Sequence, residues 1–411
     1  MGQTLSEPVT EKHTIDGEDD SLLYACSEMQ GWRISMEDAH ATILNLDGKT
    51  DDEKASFFAV YDGHGGSTVA EFSGQTVHTR LAATDEYKQG NYEAALKRAF
   101  LGTDEDLRAS PEYASDPSGC TAVAALLVAG PPPVPAAATA DVDKAQGQQQ
   151  KVARRIIVAN AGDSRSVLSV KGEAKPMSFD HKPGNKDENA RIVGAGGFVE
   201  FGRVNGNLAL SRAIGDFEFK QNTSLSAEAQ IVTADPEIIS HDVTGEEEFL
   251  VLACDGIWDC LSNQQVVDFV RRGIAQGKAM TEICESIMDK CLAPDSEIGG
   301  VGCDNMTFCV VGLLGGRTKQ EWYDWVKQRV DGKIGWDTPE EIAPVFASQG
   351  GTGQGAEGPA VGGASGAGGG MRLGGLGGGS VLSAIAGGLQ QGGHDEQQSQ
   401  GIRLSGALAG A

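Results

Sequence analysis

The stretch FFAVYDGHGGSTVAEF, residues 57–72, runs from an apolar segment through Asp62, Gly63, His64, Gly65 and Gly66 into a helix-like pattern. Phe57 to Val60 reads as the end of a buried strand, and Thr68–Leu81 carries helical periodicity. A carboxylate and an imidazole therefore stand among three glycines where a strand ends. The design recurs: NAGDSR places Asp163, LACDGIWD places Asp255 and Asp259, and GCDNMT places Asp304, while RISMEDAH adds Arg33, Glu37 and Asp38.

One such acid is ordinarily a turn former, and Asp-Gly is a common turn dipeptide. Five motifs together resist that reading. A carboxylate abutting a buried strand costs desolvation energy unless it is paired, and Arg33 and Arg165 are the only clear bases inside the motifs. Cations would balance the charge. An all-oxygen set selects hard ions, Mg²⁺ or Mn²⁺. Zinc is disfavoured, because none of the seven histidines is paired at ligand spacing and the cysteines do not cluster. Calcium fits by donor type, but no EF-hand loop is present.

Asp62 can bridge two metals with its two oxygens. Gly63 has no side chain, so its carbonyl can approach a metal closely. His64 stands alongside with an ordinary pKa near neutrality. A dinuclear centre makes water nucleophilic at neutral pH, which suits attack on a phosphate monoester. Arg33 can offer a bidentate fork to phosphate oxygens, and His64 can protonate the leaving alkoxide. Plainer readings stand beside these. His64 could stabilise a turn, Arg33 could pair Glu37 four residues on as helical neighbours do, and Asp259 could cap the helix entry before Ser262.

Other phosphatase chemistries lack their residues. No cysteine has an arginine six positions on, and no Asp-x-Asp-x-Thr/Val occurs. A calcineurin-like metallophosphoesterase would share Asp-x-His at 62–64, but GDSRS and GNKDE fail its other two motifs.

Around these motifs lies one continuous domain, about residues 20–315, with a helical extension over 316–346. Strand-like segments are Ser56–Tyr61, Thr121–Val128, Arg155–Ala159, Ser166–Val170, Glu248–Ala253 and Met306–Leu314. Helix-like segments are Thr68–Leu81, Tyr92–Leu107, Asp187–Val193, Asn263–Ala275, Thr281–Cys291 and Lys319–Val330, and Ser262-x-x-Gln265 predicts a capping box. VANAGDSRSVLSV reads as a hairpin turning at Ala161–Arg165. Strands in hairpins and helices in pairs predict an α+β fold with antiparallel sheets.

Two segments fall outside that domain pattern. The Pro/Ala/Gln-rich 130–150 predicts a surface loop insertion. Residues 347–411 predict a flexible Gly-rich tail, since 22 glycines over 351–411 follow no Gly-X-Y period.

Bulk properties narrow the partners. The 411-residue chain carries a net charge of −25, which repels phosphate backbones and argues against nucleic acid. Eight scattered cysteines form no Cys-x-x-Cys and several sit in apolar runs, as free buried thiols in a reducing compartment do. No apolar run has the length of a membrane span, and the N-terminus lacks an apolar leader. MGQTLS fits a myristoylation pattern with Gly2 as acceptor. The alternative is a plain N-terminal segment over 1–21. A single acyl chain beside acidic residues would anchor only weakly and reversibly.

With these residues in view, the sequence resembles the metal-dependent serine/threonine protein phosphatases of type 2C, in their eukaryotic, fungal-type branch. The resemblance rests on RISMEDAH, FFAVYDGHGG, SGCTAV, NAGDSRSVL, DHKP, RVNGNLALSRAIGDF, TADPEI, LACDGIWDCLSNQQVV and GCDNMT, in the family's order over about residues 22–313. It implies an αββα fold of two packed antiparallel sheets flanked by helices. It implies metal ligands at Asp62, Gly63, Asp255 and Asp304, metal-bound waters on Glu37 and Asp38, and a weaker third ion at Asp163 with Asp259. It implies phosphate binding by Arg33, acid catalysis by His64, and a flap over 180–204. It also implies a monomer acting on phosphoserine and phosphothreonine proteins, often against stress-kinase signalling, in the cytoplasm with a nuclear share. The insertion at 130–150 and the Gly-rich tail depart from the family pattern, but neither touches the acids. Two other functions compete: a metal-binding pseudophosphatase scaffold, and a phosphatase of small phosphometabolites.

Overall fold

Phe57, Ala59 and Tyr61 leave their strand on one face and Phe58 and Val60 on the other, and both sets are fully buried. Side chains alternate with period two along a strand, so this strand is covered on both sides. The computed structural model shows what covers it, describing residues 4–48, 54–130, 152–296 and 300–346.

The first half of the chain forms β1 (Thr4–Glu18), β2 (Leu22–Arg33), β3 (Ala39–Ile43), β4 (Ala55–Tyr61), β5 (Gly63–His64), α1 (Thr68–Ala83), α2 (Asp85–Lys88), α3 (Tyr92–Ala109), β6 (Gly119–Cys120), β7 (Ala122–Gly130), β8 (Val152–Ala161), β9 (Arg165–Val170) and β10 (Glu173–Pro176). Next come α4 (Lys186–Gly194), β11 (Val199–Glu200), β12 (Arg203–Val204), β13 (Ile214–Gly215), β14 (Glu237–Asp242) and β15 (Glu247–Ala253). The chain continues with α5 (Asp255–Trp258), α6 (Asn263–Ala275), α7 (Met280–Cys291), β16 (Met306–Leu313) and α8 (Lys319–Asp331). One antiparallel sheet runs β1-β2-β16-β15-β9-β10 and a second runs β14-β8-β7-β4-β3.

Alternation assigns the layers. On β15, Phe249 and Val251 pack with Val266, Ile274 and Ile283 of α6 and α7. Leu250 and Leu252 instead meet Phe58 and Val60 across the space between the sheets. The outer face of β4 meets Val77, Leu96 and Phe100 of α1 and α3. The result is the four-layer αββα sandwich of an α+β protein. Ser262 and Gln265 form the capping box that starts α6.

Several sequence readings need correction. Residues 1–21 read as a segment outside the domain, yet Thr4–Glu18 is strand β1, in register with β2 from Lys12↔Met29 to Glu18↔Leu23. It has no apolar run because it is an edge strand, where charge discourages pairing with another chain. Thr14 Oγ1 donates to Glu285 and Lys12 Nζ to Asp289, both on α7.

The hairpin read at Ala161–Arg165 is a crossing between sheets. The chain leaves the second sheet after β8 and enters the first at β9, turning at Gly162 with φ +125°. The extension read as helical over 316–346 is helical only at α8. Beyond it, Gly335 adopts φ +81°, and a Cβ there would lie 2.2 Å from the Lys171 carbonyl oxygen. Cys26 and Cys309, register partners on β2 and β16, form a disulfide, so the cysteines are not all free thiols. The thiol inventory therefore no longer argues by itself for a reducing compartment. Gly130 and Val152 close the β7–β8 pair. The acylation site read at Gly2, the insertion beyond Gly130 and the tail from 347 lie outside the described residues. Among the described residues no helix is long and apolar enough to cross a membrane.

Candidate metal centre and active site

Beyond β4, the Thr121 N–H donates to the Asp62 carbonyl (2.9 Å), and Gly63 and His64 pair with Cys120 and Gly119. A Cβ on Gly63 would lie 2.1 Å from the Glu37 carbonyl oxygen, so the two motifs touch backbone to backbone and only glycine fits. Gly65 and Gly66, at φ +70° and +133°, turn the chain into α1. The Gly66 N–H donates to Glu37 Oε2 (3.1 Å) and Ser35 Oγ to Glu37 Oε1 (2.8 Å).

Arg33 ends a strand, so it has no helical neighbour in Glu37. Its Nη2 donates instead to Asp304 Oδ2 at 2.5 Å. Asn305 bolts this corner together. Its side chain accepts from the Glu37 N–H (3.0 Å) and donates to the carbonyls of Gln30 and Ser35 (2.8 and 3.0 Å).

The acids converge at the ends of β4, β8 and β15, where the two sheets face one another. Donor atoms of Asp62, Asp163 and Asp255 lie within 4.8 Å of one another, as do those of Asp38, Asp62 and Cys254. Asp62 belongs to both groups. The Cys254 thiol is pushed well up, by burial first and then by neighbouring carboxylates, and as a soft donor it suits a hard divalent ion less than the carboxylate oxygens do. Asp62 and Asp255 are likewise pushed far above the carboxylate range, by burial and then by nearby acids. Asp38 is pushed up to about 7, chiefly by burial. Thr307 donates to its Oδ2 (2.7 Å), while its Oδ1 is buried with no hydrogen-bond partner among the described residues. Crowded buried carboxylates and an orphaned oxygen fit a hard divalent cation.

Asp304 lines the same cleft, with Oδ1 accepting from the Asn305 N–H (2.8 Å). Asp259 closes α5 as its C-cap, one turn past Asp255, and belongs to neither acid group. It does not cap α6, because Ser262 does. Arg33, Asp62, His64, Asp163, Asp255 and Asp304 line one cleft of about 400 Å³.

Four further residues belong to the site. Asp216 holds the His64 Nε2 at 2.8 Å and is itself in the left-handed region, φ +52°. A Cβ on Gly119 would strike both groups, at 2.4 Å from Asp216 Oδ2 and 2.7 Å from His64 Nε2. The charge and hydrogen bond of Asp216 outweigh the burial that would lower the His64 pKa, so it is raised. Lys182 donates to Asp163 Oδ2. Arg165, read as a partner for the acids, instead forks onto Asp180 (2.9 Å twice) and reaches Asn263 (2.6 Å). Asn305 forms the corner described above, and Arg203 of β12 lines the cleft. Asp216 and Lys182 sit in motifs that carry the family resemblance, SRAIGDF and DHKP, but nothing local singles them out.

The segment 180–204, read from the sequence as a flap, contains α4 and the β11–β12 ribbon. Glu188 anchors it, accepting from Arg212 Nη2 (2.7 Å), Arg191 Nη1 (2.8 Å) and Ser211 Oγ (2.6 Å).

A family model described as protein phosphatase 2C matches residues 22–298. A protein phosphatase 2C homolog 2 of Hypocrea jecorina is 53% identical over 348 residues, covering 84% of this chain and 74% of its own. One of Schizosaccharomyces pombe is 50% identical over 346 residues, covering 84% of this chain and 87% of its own. A phosphatase structure from Toxoplasma gondii, 24% identical, shares the fold with a TM-score of 0.60 over 75% of this chain and 97% of that one. The chain belongs to the protein phosphatase 2C family, metal-dependent hydrolases acting on phosphoserine and phosphothreonine in proteins.

Proposed function

We propose that this phosphatase works through two Mg²⁺ or Mn²⁺ ions held by Asp62, Asp255, Asp304 and the Gly63 carbonyl, with Glu37 and Asp38 binding through water. The observation that carries this is the sharing of half-buried Asp62 by two clusters, one with Asp163 and Asp255 and one with Asp38 and the Cys254 thiol, beside the cleft that Arg33 and His64 line. When bound there, such ions would make water nucleophilic at neutral pH and offset the charge of the phosphate. Asp163, with Asp259, is the weaker third position in this reading.

The chain's own residues do the rest. Arg33, fastened to Asp304 through one nitrogen, presents its remaining N–H groups to the phosphate oxygens. Asp216 orients the His64 ring and favours its charged form, which carries an N–H on each nitrogen. With Nε2 held by Asp216, the proton on Nδ1 passes to the leaving alkoxide. The substrates are phosphoproteins, and the enzyme is a negative regulator of stress-kinase signalling. The enzyme acts as a monomer in the cytoplasm and nucleus, and an acyl chain on Gly2 gives a reversible membrane fraction. Family resemblance and the MGQTLS start support these last points, and light scattering, a fluorescent fusion and mass spectrometry of the N-terminus test them.

Hydrolysis of a phosphothreonine peptide tests the centre. Activity should need Mn²⁺ or Mg²⁺, vanish with chelator and collapse in Asp62→Asn at any substrate concentration. Retained activity in that variant refutes the assignment of Asp62.

A further inference from the structure

Among so many buried acids, cationic side chains are scarce. Arg33 covers Asp304 and Lys182 covers Asp163, whereas Arg165 is turned to Asp180. Asp163 is 4% exposed and belongs to the group that includes Asp62 and Asp255, so Lys182 places its charge at the rim of the proposed metal centre. The Lys182 ammonium also feels the charges of Asp255 and Asp180, and Asp259 feels Lys182 in turn.

The backbone beside Lys182 is pinned. The His181 N–H donates to the Gly162 carbonyl (2.9 Å), and the Gly162 N–H donates to His181 Nδ1 (3.2 Å). The Ser211 N–H and Oγ both donate to the His181 carbonyl (3.3 and 2.9 Å). Lys182 thus leaves a segment tied to the residue before Asp163. Its side chain is 46% exposed, so the ammonium has solvent to swing into when it lets go.

We infer that Lys182 is a tethered cation that competes with the most weakly held divalent ion for Asp163. The inference rests on the metal-centre reading above. An ammonium and a divalent ion on one carboxylate repel each other and compete for its lone pairs. Lys182 thereby neutralises Asp163 when the weak position is empty, and a metal ion must displace it to enter. Because Lys182 opens the flap segment, occupancy of that position is coupled to how the flap's first residues are held. A surface lysine making an incidental ion pair would have none of these consequences.

The test uses the full chain and Mn²⁺ alone, titrated calorimetrically and by the electron paramagnetic resonance of free Mn²⁺. In Lys182→Gln the weakest class of Mn²⁺ sites should tighten by about fivefold or more, with the tighter classes unchanged. Lys182→Arg, which restores the charge, should return the weak class toward the wild-type affinity. Weak-site affinity that is unchanged or lower in Lys182→Gln, with circular dichroism showing an intact fold, overturns the competition. Wild-type protein that binds no Mn²⁺ overturns the metal centre itself, and the inference with it. The two failures are distinguished by the wild-type titration.

Discussion

His64 and Asp216 are 152 positions apart, yet their side chains meet at 2.8 Å because β5 and β13 both pair with β6. Two predictions belong to this residue scale. His64→Gln should slow poor alkoxide leaving groups by roughly 10²- to 10⁴-fold and activated aryl phosphates far less. Parallel loss on both substrates would remove the acid role. The second concerns Asp216→Asn. A general acid works while protonated, so activity falls as pH rises through its pKa. Asp216 raises that pKa above the ordinary histidine value. Its neutral replacement should therefore move the alkaline limb of the pH–rate profile to lower pH. An unmoved limb would show that the pair does not set it.

At the scale of elements, Glu188 fastens α4 to the segment before β13. Burial pushes its pKa up, but hydrogen bonds from Arg212 and Ser211 and the Arg191 charge outweigh it and bring it down to about 2. A carboxylate with a depressed folded pKa stabilises the fold fully above its unfolded pKa and loses that contribution as pH falls through the folded value. Glu188→Gln should therefore cost about 3 kcal/mol near pH 7. The difference from wild type should shrink as pH drops from about 4.5 towards 2. Urea unfolding at several pH values checks this, and a pH-independent difference would assign the loss to packing.

For the whole molecule, the segment after α8 is structural. Arg271 is fully buried against Glu248 and donates to the Ile334 and Trp336 carbonyls (3.1 and 2.8 Å) and to Thr338 Oγ1 (2.7 Å). Arg271→Met takes from buried Glu248 its closest cationic partner, leaving Arg329 at 3.5 Å, and should cost about 3–5 kcal/mol. A chain ending at Gly332 should melt lower for the same reason, since three acceptors leave. A chain ending at Gln349, where the first compact unit ends, should keep the melting temperature and peptide activity of the full chain. Calorimetry on the two truncations decides, and equal melting of both would show that Arg271 does not need this segment.

Legibility followed the range of the interaction. The run Phe57–Val60, the helical period of Asn263–Ala275 and the capping box at Ser262 are local, so the sequence by itself determined them. It also determined that acids end the apolar strands, because that is a matter of neighbours in the chain. β1 was hidden, since a charged edge strand lacks the apolar pattern that marks buried ones. Only the tertiary structure decided that β8 and β9 lie in different sheets, that Cys26 faces Cys309, and that Asp216 and Lys182 reach His64 and Asp163. Those contacts depend on strand order and on the packing of one sheet against the other. Both are set by burial summed over the whole core, which no short stretch of chain encodes.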